Sequence, residues 1–282
     1  MTDLSESYAR RLVVGASRYV LSKGEAWSLF RIPWVMFGER DWEAMLSYVE
    51  KMDVDAVIGQ FEDMDMVRQL KQRGIIVVAQ DYKKILPGVS RITGEYYESG
   101  AMAVRYFLEK GFTSFGFFST LRYFWADERR KGFEETLFQL KPDCSLSCLS
   151  LPERNVWIYD IDLIQDWLLS LPKPAAIMAC DDNSAYQLIE VCSHISKKLG
   201  DKASVRVPED IAILGVDNDE SVCNLSTPTL TSIEQEAEKG GFEAAAYIDR
   251  LLKSGEPESI PYEIVVHASK IFTRASTDIF PL

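Results

Sequence analysis

Several kinds of segment are missing from this 282-residue chain. No window stays apolar for the ~20 residues a membrane-spanning helix needs. The opening MTDLSESYARR has no apolar signal core, so a secretory signal is not expected. Basic residues are in deficit, with 31 Lys and Arg against 43 Asp and Glu and a net charge of −12. That balance argues against gripping nucleic acid or anionic membrane through the bulk surface, because phosphate binding draws on clustered Lys and Arg. The dense basic runs, Arg129-Arg130-Lys131 and Lys197-Lys198, are short and read as solvated helix faces.

Histidine is scarce too. His194 and His267 are the two, and neither lies near a CxxC or beside a candidate nucleophile. A zinc site and a Ser-His-Asp site therefore find little support. No GxGxxG follows a strand pattern and no GxxxxGK[ST] is present, so dinucleotide and P-loop binding lose their usual cradles. The five cysteines are odd in number and scattered, with Cys180 and Cys192 in apolar surroundings. Buried free thiols in a reducing cytoplasm account for them, and a cytoplasmic protein without cofactor or metal is expected.

What is present is a 47% hydrophobic chain, ample for a packed core. Apolar runs alternate with helical patterns. Helices are expected over 7–23, 41–52, 64–73, 95–110, 127–140, 160–171, 184–199 and 234–253. Strands are expected over 27–32, 54–59, 75–79, 114–118, 146–151, 175–180 and 211–216, with an extended tail over 260–273. Gly24, Gly74, Gly111, Gly200 and Gly255 stop helices. Such alternation means parallel βαβ units, too many for one compact sheet, and hence two lobes. No Gly/Ser linker separates them, so strands or short loops must cross between. The chain opens on a helix where a doubly wound lobe normally opens on a strand; a trimmed upstream strand, or a start placed late, is the expected reason.

The stretch 207–233 organises the rest. Ile211–Val216 is an unbroken apolar run, as a strand buried on both faces would be, and Asp217, Asn218 and Asp219 follow at once. Ligands bind beyond the carboxyl ends of strands in such sheets. Asp217 is then either a ligand-binding residue or a turn cap. Other strand ends carry similar polar rims: Gln80-Asp81, Ser119-Thr120 and Asp181-Asp182-Asn183. Carboxylates and amides, with Arg129 and aromatics nearby, suit a polyhydroxylated ligand. Planar polar groups bond paired hydroxyls, and Trp or Tyr packs on the C–H face of a sugar ring. An alternative set, Asp181, Asp182 and Asp217, would hold Mg²⁺ for phosphoryl transfer, but no Lys or Arg is evident on a neighbouring strand end to hold a phosphate.

Several motifs resemble those of LacI-type regulators. VPEDIAILGVDNDE followed by STPTLTSIEQ is similar to that family's strand, Gly-x-Asp and Pro-x-Leu-Thr-x-Ile series. Arg129-Arg130-Lys131-Gly132-Phe133 resembles its RxxGF. Cys180-Asp181-Asp182-Asn183-Ser184-Ala185 resembles C-N-D-x-x-A with Asp181 replacing Asn, and Glu95-Tyr96-Tyr97-Glu98-Ser99-Gly100 resembles D-N-x-x-x-G with Glu95 and Tyr96 departing. The closing Arg274-Ala275-Ser276-Thr277-Asp278 is a similar ending. Trp125-Ala126-Asp127-Glu128-Arg129, and Tyr8 within Ser7-Tyr8-Ala9-Arg10, bring the chain nearest to the xylose-responsive branch. There a sensor precedes an AraC-type helix-turn-helix pair.

That resemblance implies an α/β fold of two doubly wound, Rossmann-like lobes, periplasmic binding protein-like type I. The lobes are expected at 1–119 with 234–262 and at 120–233 with 263–282, the DNA-binding domain being absent from the chain. It implies the effector domain of a transcription regulator, binding a pentose in the inter-lobe cleft. Tyr8, Asp81 (with Gln80), Trp125, Arg129, Trp157, Asp181 and Asp217 are the implied effector-binding residues. Trp125 and Arg129 stand one helical turn apart and can point the same way. An ionised Asp181 can only accept hydrogen bonds, which bears on which sugar fits. The implied partners are a sugar, DNA through the absent domain, and a second copy in a homodimer, with no membrane. A solute-binding protein of a sugar transporter shares the fold and is the alternative; the Mg²⁺ enzyme is the third.

Overall fold

The computed structural model describes residues 7–24, 27–30, 42–119, 123–151, 160–199, 205–255 and 260–279. They form two compact units, Met1–Gly94 with Glu236–His267, and Glu95–Gln235 with Ala268–Leu282.

In the first unit a four-stranded parallel sheet runs in the order β1-β2-β3-β9, with β1 at Ala56–Gln60, β2 at Ile76–Gln80, β3 at Arg91–Gly94 and β9 at Glu263–Val266. Side chains leave each strand to alternate faces, and both faces are covered. Val57, Val77 and Ala79 pack under α2 (Trp42–Lys51) and α3 (Met64–Gln72). Ile58, Ile76 and Val78 face α1 (Ser7–Lys23) and α9 (Ala237–Ser254). Helix α1 crosses α9 with backbones in contact. A Cβ added at Gly15 would lie 1.8 Å from the Glu238 carbonyl oxygen, and one at Gly241 would lie 1.9 Å from that of Leu12.

The second unit holds six strands in the order β10-β8-β7-β6-β4-β5. These are β4 (Ser114–Ser119), β5 (Ser145–Ser150), β6 (Ala175–Ala179), β7 (Ile211–Val216), β8 (Thr231–Gln235) and β10 (Ala268–Phe272). All pairs are parallel except β10 with β8. Phe118, Ile177 and Ile213 face α6 (Ile161–Ser170) and α7 (Asp182–Leu199). Phe115, Phe117, Met178 and Leu214 face α4 (Tyr96–Glu109) and α5 (Phe124–Leu140). That two-sided burial is why β7 reads as an unbroken apolar run. Helices α4 and α5 also touch backbone to backbone, with Gly100 against the Arg129 carbonyl and Gly132 against that of Tyr97. The order β7-β6-β4-β5 reverses chain direction between β4 and β6, the place where such sheets open a crevice at their strand ends.

Most expected elements form within one or two residues, and several differ. The first division falls at Gly94/Glu95 rather than after residue 119, because the glycine contact of α4 with α5 commits α4 and β4 to the second unit. The return division falls at His267/Ala268 rather than after 262: the tail splits into β9, paired with β3, and β10, paired with β8. Residues 27–30 form no strand, and 31–32 lie outside the described residues. Strands β3 and β8 and the short helix α8 (Glu220–Leu225) were not anticipated, and α9 starts three residues later than expected because Glu234 and Gln235 finish β8. Among the described residues no helix is long and apolar enough to cross a membrane.

Candidate functional site

In the second unit β6 and β7 end side by side. Their exits carry Asp181 and Asp182 at the start of α7, and Asp217–Asp219 between β7 and α8. Helix α5 brings Trp125 and, one turn later, Arg129 toward the same rim. The Gly100 and Gly132 contacts fix how deeply α5 sits, and the carbonyl against Gly100 is that of Arg129 itself.

Arg129 joins the two strand ends. Its Nη1 donates to the Cys180 carbonyl at 2.6 Å and its Nη2 to Asp217 Oδ1 at 3.1 Å. Its guanidinium carbon lies 4.9 Å from the Trp125 ring centroid and 5.7 Å from that of Tyr96, within cation–π range of both. The Arg129 side chain is 3% exposed and that of Asp217 18%, so the carboxylate is the more open partner. Arg129 Nε is buried without a hydrogen-bond partner among the described residues. Burial by itself would lower the pKa of this guanidinium. The charge of Asp217, with smaller contributions from Tyr96, Cys180 and Asp181, outweighs burial and holds it above its ordinary value.

The backbone beneath Asp217 is unusual. Asp217 has φ +100° and Asn218 φ +47°, consecutive non-glycine residues in a region that L side chains rarely enter. Such positions cost about 1–3 kcal/mol each and persist only where neighbours over-determine them. Here the Asp217 amide donates to the Ile233 carbonyl at 2.8 Å, the Asn218 amide to Ser232 Oγ at 3.0 Å and the Asp219 amide to Asp182 Oδ2 at 2.7 Å. Arg274 Nη2 donates to Asn218 Oδ1 at 2.7 Å. Asp219 caps α8, accepting from the Ser221 amide at 3.0 Å, while Asp217 Oδ1 accepts from Arg129.

Other expected residues fall in different places. Asp181 Oδ1 accepts from the Ser184 amide at 2.7 Å, capping the first turn of α7. In the first unit, Asp81 follows β2 directly and accepts from Thr93 Oγ1 at 2.5 Å, with Arg91 Nη1 at 4.0 Å. Beside it Gln80 is buried and its Oε1 lacks a partner among the described residues. Tyr8 lies on α1 in the core with Leu12, Val78 and Ile92. Trp157 lies outside the described residues, as does Thr120.

Three residues of this arrangement were not singled out from sequence, and a fourth was given another role. Tyr96 stood only as a departure from a motif, Ser232 and Gln235 were hidden in the unrecognised β8, and Asp182 was assigned to a metal set. Gln235 is fully buried; its Nε2 donates to Ser99 Oγ at 3.1 Å and its Oε1 has no partner among the described residues. Asp182 turns inward. Ser232 Oγ donates to its Oδ1 at 2.5 Å, so its carboxylate is committed within the protein and is not open to a metal. Burial, and next the charge of Asp217, push its pKa well above the usual carboxylate range. Among the described residues no group of three or more His, Cys, Asp or Glu is placed to hold a metal ion. Burial pushes the Cys180 and Cys192 thiols up to about 12, keeping them protonated and inert.

A family profile described as a periplasmic binding protein-like domain matches residues 104–277. The xylose operon regulatory protein of Escherichia coli K12 is 27% identical over 287 residues, covering 98% of this chain and 68% of that protein. The solved structure of the xylose-binding transcription activator xylR superposes with a TM-score of 0.76 at 25% identity, covering 100% of this chain and 70% of the other. A periplasmic binding protein/LacI transcriptional regulator from Alkaliphilus metalliredigens, complexed with D-xylulofuranose, superposes at 0.74 with 21% identity over 98% of this chain and 96% of that one.

Proposed function

The chain belongs to the periplasmic binding protein-like domain family, and on that premise we propose that it is the sugar-sensing effector domain of a bacterial transcription regulator, taking a xylose-like pentose. The observation that carries this reading is the Arg129–Asp217 pair at the ends of β6 and β7, whose guanidinium lies within cation–π range of the Trp125 and Tyr96 rings. A buried guanidinium fixes a more open carboxylate in place, and Asp217 is then pre-organised to accept from neighbouring hydroxyls. Trp125, half-buried, supplies an aromatic ring of the kind that packs on the apolar side of a sugar. Asp181, with one oxygen committed to its helix, is a further acceptor. Tyr8 and Asp81 in the first unit, and Trp157, are proposed contacts that mutation tests separately.

We read the role as binding and not catalysis: among the described residues no nucleophile–base pair stands at this rim. The regulators similar to this chain support gene control over transport. Occupancy is read out as a shift between conformations that bind the sugar with different affinity, and it is passed to attached DNA-binding segments, in a homodimer. Thermal unfolding across a panel of pentoses and hexoses tests the reading. At a hundredfold excess over Kd a bound sugar stabilises by about 2.7 kcal/mol, which for a chain of this size is about 5–10 °C in Tm. D-xylose is expected to give that shift, and neither Asp217→Ala nor Arg129→Ala to retain it. A panel in which no sugar moves the midpoint would count against it.

A further inference from the structure

We propose that Asp182 is a positioning residue for the sugar site, holding the Asp217–Asp219 bend in the conformation that aims Asp217 at Arg129. It rests on the sugar reading above and adds to it the part that sets affinity without touching ligand. Asp182 is 2% exposed, and its donors come from the bend and its surroundings. Oδ2 accepts from the Asp219 amide at 2.7 Å, with Cys223 Sγ at 3.7 Å. Oδ1 accepts from Ser232 Oγ at 2.5 Å, and the same hydroxyl accepts from the Asn218 amide at 3.0 Å. One carboxylate thus restrains two successive amides, those flanking the left-handed residue Asn218 and following Asp217. The space is reserved for it: a Cβ at Gly215 would stand 2.3 Å from Asp182 Oδ1. Released from these bonds, Asp217 and Asn218 relax toward ordinary negative φ, and the Asp217 carboxylate leaves Arg129.

Calorimetric titration with D-xylose and amide exchange on the same samples test this. Asp182→Ala is expected to weaken binding about tenfold or more and to speed exchange at Asn218 and Asp219 while the amides of β4 keep their protection. Asp182→Asn is expected to recover most of the affinity, offering its oxygen to the Asp219 amide and its NH₂ to Ser232. In an Asp217→Asn background, Asp182→Ala should add less than about a twofold further loss, because its effect runs through Asp217. Equal affinity in wild type and Asp182→Ala, or faster exchange spread evenly over the second unit, overturns the assignment alone. A wild type that binds no sugar overturns the sugar reading and the assignment together. Should Asp182→Ala not fold, Ser232→Ala removes only the Asn218 restraint; unchanged affinity and unchanged Asn218 exchange in that variant overturn the assignment.

Discussion

Each unit sets an arginine near an aspartate at a strand end, and the two pairs are built the opposite way round. In the second unit the arginine is the buried partner: Arg129 is 3% exposed and Asp217 18%. In the first, the aspartate is buried at 2% and Arg91 is 21% exposed. Arg91 spends its guanidinium on Glu263, with Nε at 2.9 Å and Nη2 at 2.6 Å, and reaches Asp81 only at 4.0 Å. Asp81 is tied inward by Thr93. The difference teaches which partner of each pair is the more open. A buried cation with a more open anion turns hydrogen-bond acceptance outward; where the anion is the buried partner, as Asp81 is, its carboxylate is the less accessible of the two.

Removing the open partner of the buried pair breaks that comparison most severely. Asp217→Ala strands the Arg129 charge in the interior and is expected to cost about 3 kcal/mol of stability along with the sugar response. Arg129→Met leaves Asp217 where water can reach it, so denaturant unfolding should show a smaller stability loss with an equally complete loss of sugar binding. Equal stability losses would mean that burial does not decide the asymmetry.

The glycine crossings come next. Gly132→Ala drives α5 off α4 and Gly15→Ala drives α1 off α9, each by a backbone clash, and over-packing of this kind costs about 2 kcal/mol. Similar Tm losses are expected from both. Gly132→Ala should in addition weaken sugar binding, because Arg129 rides on the displaced helix.

A gentler probe is pH. The folded-state pKa of Asp182 lies above its unfolded value, through burial and then Asp217. Its proton-linked stabilisation is therefore complete below the ordinary carboxylate range and is lost as pH rises through the raised value. Unfolding free energies of wild type minus Asp182→Asn, measured from weakly acid to neutral pH, should fall with rising pH; a flat difference contradicts the shift. Smallest of all, Glu263→Gln should change stability by less than about 1 kcal/mol, since Glu263 meets Arg91 as a half-exposed partner.

Much of this was legible from residue patterns because burial writes itself into them. Strands β4, β6 and β7 are covered on both faces and so appear as apolar runs without polar alternation. The polar residues ending those runs pointed to Asp181 and Asp217, and helical spacing put Arg129 beside Trp125. What escaped has equally physical causes. Strand β3 is four residues long, and β8 is interrupted by Ser232 and Glu234, so neither looks like a buried strand. The unit boundaries hung on glycine contacts between α4 and α5, and close approach of backbones leaves no signature beyond the glycines themselves. Asp182 is invisible as a brace because its partners, Ser232 and Asp219, lie 50 and 37 residues away. The inward turn of Asp81 depends likewise on Thr93, on the unrecognised β3.

Titration calorimetry of the wild-type protein with D-xylose, beside Asp217→Ala under the same conditions, bears most directly on the sugar-sensor reading. Saturable one-site binding by the wild type, with a loss of about a hundredfold or more in the variant, is the result expected. Absence of heat from D-xylose and from every other pentose and hexose, or equal binding by the variant, would contradict it.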